Sequence, residues 1–299
     1  VRGQVGKKLS EWTAEYFEIF LKERNPAKNS IIQMKSNIRF IKASAFAEKQ
    51  IDEISTLDVS NFLKETEKNR GPGAAAQTRG TLQDIFREAE VSGLIGAGKN
   101  PVTVTRAAKQ IVKRDRLSLE QFLAIREHAS TWLVNAMNLA LLTGQRREDI
   151  AKAMFADVKD SFLYVQQTKT GAKLRLQTSL RLNAVGLSLD DVIKQCRDKV
   201  VSKYLIHRTT STLKARAGSP IPLYKISDDF AAAREKAGVK PQEGKTPPSF
   251  HEIRSLAERL YDKECGPGFT QKLLGHKSAS MTAVYHDSRG SEWTDVAAN

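Results

Sequence analysis

The sequence predicts a mainly α protein of two domains: a helical amino-terminal domain, then a mostly helical one carrying a small antiparallel sheet. Three observations predict this. Apolar residues recur at helical spacing through the first hundred positions. Residues 132–142 are apolar almost all round, as in a helix buried on every side. Residues 162–167 and 172–177 alternate as paired strands do. A length of 299 residues suits about two domains.

Four amphipathic helices account for the first domain. Leu9, Trp12, Tyr16, Phe17 and Phe20 form the first stripe; Ile31, Met34, Ile38 and Ile41 form the second, with Ser30 as its expected N-cap. Val59, Phe62 and Leu63 follow Thr56, a second cap candidate. Leu82, Ile85, Phe86 and Ala89 form the fourth stripe, closed by Gly93. Aromatic rings at this spacing are expected to fill a core rather than stack on bases. Gly71-Pro72-Gly73 reads as a loop, and Gly96 to Pro101 as a domain boundary. The expected division is therefore 1–98, a basic linker 99–116, and a second domain 117–299.

The second domain opens with Ser118 and Gln121, spaced as a capping box for a helix to about Ser130. The buried helix 132–142 stops at Thr143-Gly144. The two strands follow, joined by Thr168-Lys169-Thr170-Gly171. Helices are expected over about 188–199, 223–237, 249–263, 268–274 and 278–286.

Composition narrows the function. Hydrophobic residues make up 40% and charged residues 27%, which excludes a mainly disordered chain. No apolar run reaches the roughly 18–20 residues of a membrane span, and Val1 to Gly6 does not read as a signal peptide. The sequence starts without an initiator Met, as a fragment would. Two cysteines, Cys196 and Cys265, make no disulfide framework and suit a reducing, cytoplasmic setting. Five histidines lack the spacing of a zinc site. Lys and Arg number 48 against 34 acidic residues, a net charge of +14. That charge fits two readings equally: a polyanion partner, of which nucleic acid is the commonest, or a merely soluble basic protein. Residues 1–116 hold 21 basic and 14 acidic residues, so the surplus is shared between the two domains. Arg106, Lys109, Lys113, Arg114 and Arg116 crowd the linker against a single acid, Asp115. They suit a strap across a phosphate backbone, or else a solvated tether.

Four short stretches remain: Thr143-Gly144-Gln145-Arg146, Thr168 to Gly171, His251-Glu252-Ile253-Arg254, and Leu273-Leu274-Gly275-His276 followed by Tyr285. Singly each is weak: an Arg can cap a helix, a Lys can solvate a turn, and His and Arg three apart can be mere surface neighbours. In this order they resemble the tyrosine recombinase (phage integrase) family, closest to its phage lambda integrase group. Thr105 to Lys109, Leu256 to Tyr261, and Arg289 to Trp293 strengthen the likeness.

The resemblance implies a core-binding DNA-binding domain over 1–98 and a catalytic domain over 117–299. It implies a C-shaped clamp on double-stranded DNA at attachment sites, acting as a homotetramer with DNA-bending accessory proteins. Catalytic roles fall on Arg146, Lys169, His251, Arg254, His276 and Tyr285. Two guanidiniums would stabilise the charge on the non-bridging oxygens, Arg146 being favoured over Arg147 by motif register. Tyr285 would be the nucleophile, His251 would move its proton, His276 would bond the phosphate, and Lys169 would protonate the leaving 5′ oxygen. Neither a metal nor a nucleotide cofactor is implied, and no membrane. Setting would be a bacterial host's cytoplasm, at the nucleoid. Asp149 stands where many relatives have Glu, and the arm-binding domain of lambda-type integrases is not among these residues. Trp293, in the tail 287–299, would anchor either on a neighbouring protomer or on its own domain. Two other functions fit parts of the pattern: a type IB-like topoisomerase, and a non-catalytic DNA-binding regulator.

Overall fold

The structure, a computed structural model, describes residues 6–109 and 112–276. The chain divides into two compact units, Val1–Val112 and Lys113–Asn299.

In the first unit α1 (Leu9–Arg24), α2 (Lys28–Lys42), α3 (Thr56–Arg70) and α4 (Pro72–Val91) surround one core. Trp12, Tyr16 and Phe20 fall on one face of α1, and all three are buried. The polar ends of two of them find partners on α4. The Trp12 ring N–H donates to the Ile85 carbonyl at 3.0 Å, and the Tyr16 hydroxyl donates to Asp84. Ser30 does not cap α2, which begins two residues earlier. Asn25 ends α1 in the left-handed region and Pro26 prevents its continuation, so the turn is complete by Ala27. The cap of α3 is Ser55, not Thr56. Its hydroxyl accepts from the Asp58 N–H at 3.2 Å, and the Asp58 carboxylate returns to the Ser55 N–H at 2.9 Å. The expected loop at 71–73 is a single break at Gly71; Pro72 opens α4, where a missing N–H costs nothing.

In the second unit α5 (Leu119–Glu127) has the expected capping box, with the Ser118 hydroxyl accepting from the Gln121 N–H at 3.1 Å. Helix α6 (Thr131–Thr143) runs through the core, with Leu133, Ala136, Met137, Ala140 and Leu141 all buried. A short helix, α7 (Arg147–Lys152), follows it. Strands β1 (Val158–Lys159), β2 (Phe162–Gln166) and β3 (Lys173–Gln177) form an antiparallel sheet in that order, with Leu163 opposite Leu176. Strands β4 (Arg181–Leu182) and β5 (Leu187–Ser188) make a separate two-stranded ladder. Helix α8 (Leu189–Gln195) is shorter than expected, ending where Arg197, Asp198 and Lys199 turn to solvent. Then come α9 (Leu223–Lys236), α10 (Glu252–Cys265) and α11 (Pro267–Leu274). The Tyr261 hydroxyl of α10 donates to the Leu142 carbonyl of α6 at 3.0 Å, joining the two. Cys196 is buried and Cys265 exposed, both as free thiols. Among the described residues no helix is long and apolar enough to cross a membrane. The helix expected over 278–286 lies outside the described residues.

Candidate active site

Helix α6 ends at Gly144, whose φ of +62° turns the chain sharply. A side-chain carbon there would lie 2.9 Å from the end of the Leu274 side chain, so any other residue would add a shift in α11 to the strain of the positive φ. Gln145 is then buried, and Arg146 becomes the N-cap residue of α7. The Arg146 guanidinium donates through Nη1 to Gln167 Oε1 at 2.8 Å. Arg147 turns instead to α9 and bonds the Ser227 hydroxyl. The two neighbouring arginines thus serve different places, and Arg146 is the one that joins the other motif residues.

Arg254, in the first turn of α10, is 1% exposed. Its Nη1 donates to the Gly144 carbonyl at 2.6 Å and its Nη2 to the Leu274 carbonyl at 2.8 Å. Nη2 also lies 2.9 Å from His276 Nε2. A guanidinium only donates, so that ring nitrogen accepts and His276 is neutral, with its proton on Nδ1. Burial, then the charges of Arg254 and Arg146, hold the His276 pKa down to about 4.

His251 caps α10 and keeps an exposed edge, though most of its ring is surrounded by protein. Its pKa is also lowered to about 4, first by that loss of water, then by Arg254, Arg146, Arg114 and Lys169. Lys169 stands exposed on the turn between β2 and β3. The turn is anchored on α7, since the Thr168 N–H donates to Asp149 Oδ1 at 2.8 Å. Asp149 therefore holds the lysine's loop. Two guanidiniums, two neutral imidazoles and an ammonium share one locality, which is chemistry for receiving a phosphodiester.

The linker cations separate. Arg106 and Lys109 in the first unit and Lys113 in the second are exposed. Arg114 donates to the Ser249 hydroxyl at 2.6 Å, two residues before His251. Arg116 departs from the expected strap: it is 9% exposed, paired with Glu252 at 3.0 Å and bonded to Ser255. The capping box at Ser118 starts α5 just after it, and the Arg116 side chain lies against Glu252 and Ser255 of α10. Tyr285 and Trp293 lie outside the described residues. Among the described residues no three His, Cys, Asp or Glu side chains gather to hold a metal ion. Sequence reading gave no role to Gln145, which stands within the Thr143–Arg146 stretch, or to Gln167. The one available signal was a polar residue at 167, an inward position of the strand alternation.

This is a mainly α fold with a cationic, imidazole-bearing site suited to a phosphodiester, and comparison places it more narrowly. Residues 114–292 match the phage integrase family. The integrase of Enterobacteria phage P21 is 39% identical over 96% of this chain and 76% of its own length. The integrase of Escherichia phage lambda is 35% identical over 96% of this chain and 78% of its own length. The crystal structure of a lambda integrase dimer bound to a COC′ core site superposes with a TM-score of 0.87 at 33% identity, covering 98% of this chain and 81% of that one. A lambda integrase tetramer bound to a Holliday junction matches equally, with a TM-score of 0.87. The chain belongs to the phage integrase family and is a tyrosine site-specific recombinase.

Proposed function

We propose that this recombinase cuts and rejoins duplex DNA through a 3′-phosphotyrosine on Tyr285, integrating or excising a phage or other mobile element. The observation that carries the mechanism is the convergence of Arg146 and Arg254 beside His276 and His251. The scissile phosphate sits between the guanidiniums, which stabilise the charge gathering on its non-bridging oxygens. His276 donates to one of those oxygens through its Nδ1 proton. The Tyr285 oxygen attacks phosphorus while its proton passes to neutral His251. As the bond from phosphorus to the 5′ oxygen breaks, Lys169 gives that oxygen a proton. A 5′ hydroxyl from the partner strand then attacks the phosphotyrosine, giving its proton to the now neutral Lys169, while His251 returns a proton to the departing tyrosine oxygen.

Lambda integrase is seen as a dimer on a core site and as a tetramer on a Holliday junction. The similarity supports the same assembly for this chain, four protomers on paired sites; assistance by DNA-bending proteins is a further part of the proposal. The test is covalent trapping on a nicked suicide substrate. Tyr285→Phe should abolish the adduct and leave DNA binding intact, because only the hydroxyl is lost. An adduct formed by the Phe variant would assign the nucleophile to another residue.

A further inference from the structure

Gln167 sits at the mouth of the turn that carries Lys169, and it is 1% exposed. Its backbone closes that turn: its N–H donates to the Ala172 carbonyl and its own carbonyl accepts from the Gly171 N–H, each at 2.8 Å. Its side chain is more heavily engaged. Oε1 accepts from Arg146 Nη1 at 2.8 Å and from the Thr170 hydroxyl at 2.6 Å. Nε2 donates to Gln145 Oε1 at 2.8 Å and to the Leu274 carbonyl at 2.9 Å. The amide can face only one way, because Arg146 has only donors and the Leu274 carbonyl only accepts. That same carbonyl receives Arg254 Nη2 at 2.8 Å. One buried amide therefore touches the Arg146 guanidinium, the Lys169 turn and the segment leading to His276.

We propose that Gln167 is a positioning residue that sets Arg146, the Lys169 turn and the Leu274–His276 segment in one frame for the scissile phosphate. The proposal rests on the roles given above to Arg146 and Lys169. Arg146 has a long side chain with several rotatable bonds, and one carbonyl oxygen of a neutral amide directs it without reducing its charge. A carboxylate would direct it too, but would offset the charge that the phosphate needs and could not donate to Leu274. Thr170 gives the exposed turn a hydroxyl tie to the same oxygen. The amide thereby couples the group acting on the non-bridging oxygens to the group acting on the 5′ oxygen.

The test uses single-turnover cleavage by Gln167→Met, which keeps the shape and removes all four side-chain bonds, and by Thr170→Val, which cuts only the tie to the turn. Gln167→Met should cleave about 10²-fold more slowly, the scale of loss for a misplaced group, with DNA affinity unchanged. A neutral methylphosphonate at the cut reduces the demand on Arg146, and a 5′-bridging sulfur removes the need for Lys169. Gln167→Met should recover in part on each substrate, and Thr170→Val on the sulfur substrate alone. Wild-type cleavage by both variants, or a Gln167→Met deficit equal on all three substrates and matched by lost thermal stability, would overturn the proposal. Arg146→Ala and Lys169→Ala run beside them. Full activity in either would sink the parent assignment, whereas inactivity in both alongside normal Gln167→Met cleavage would sink the positioning role alone.

Discussion

His251 and His276 each have a pKa held down to about 4. For both, loss of water comes first and the nearby cations second. In the unfolded chain each returns to about 6.5. Between those values the unfolded state binds more protons than the folded one, so stability rises with pH there. The second unit should lose stability as pH falls from about 6.5 to about 4. Carboxylates titrate over part of this range, so variants isolate the effect. His276→Gln and His251→Gln should each flatten the fall relative to the parent, read by hydrogen exchange of the buried α6 amides at pH 4.5 and 7. Parallel curves would mean that these imidazoles are not held neutral. The same neutrality suits catalysis, since an imidazole that is unprotonated at pH 7 can accept the tyrosine proton.

At the scale of elements, the site depends on how closely α11 can approach the end of α6 and the sheet. Gly275 ends α11 with φ +65°, and a side-chain carbon there would lie 2.9 Å from Gln167 Nε2. Gly275→Ala should combine backbone strain of about 1–3 kcal/mol with displacement of the Gln167 amide. Gly186 has φ +66° but nothing within 4 Å of such a carbon, so Gly186→Ala carries the strain alone. Thermal melts and cleavage assays should show Gly275→Ala losing more of both than Gly186→Ala. Equal losses would show that the approach to Gln167 is unimportant. Elements of this kind differ in how far sequence reveals them. The buried α6 was legible as a stretch apolar almost all round, and the β2–β3 pair because its period of 2 is written into consecutive residues. Helix α7 was not, since six residues hold under two turns of pattern. The motif residues were found by family likeness, not by periodicity. Gln145 and Gln167 stayed hidden because their partners are distant in sequence: the amide of Gln145 reaches the Leu273 carbonyl, 128 residues on. A bond of that reach exists only once the tertiary fold has formed.

At the scale of the whole molecule the dominant quantity is the charge of +14, spread over both units. Phosphate contacts made by that charge release counterions, so each should contribute about 0.9 to the slope of log K against log salt. Geometry now separates the linker residues able to make such contacts. Arg106, Lys109 and Lys113 are exposed, whereas Arg116 is buried against Glu252. Replacing the first three with Ala should flatten the slope by up to about 2.7, on specific and random DNA alike. Arg116→Met should leave the slope unchanged. It should instead destabilise the second unit, because Glu252 would stay buried without the Arg116 pair. Pairing it with Glu252→Met should recover much of that loss, since two apolar side chains of similar size need no hydration. Filter-binding or anisotropy titrations across a salt series read the first effect, and chemical denaturation the second. An unchanged slope in the triple variant would make the linker a tether rather than a strap. A slope flattened by about 0.9 in Arg116→Met would mean that Arg116 leaves Glu252 for a phosphate when DNA binds. The linker would then exchange a structural ion pair beside His251 for a DNA contact.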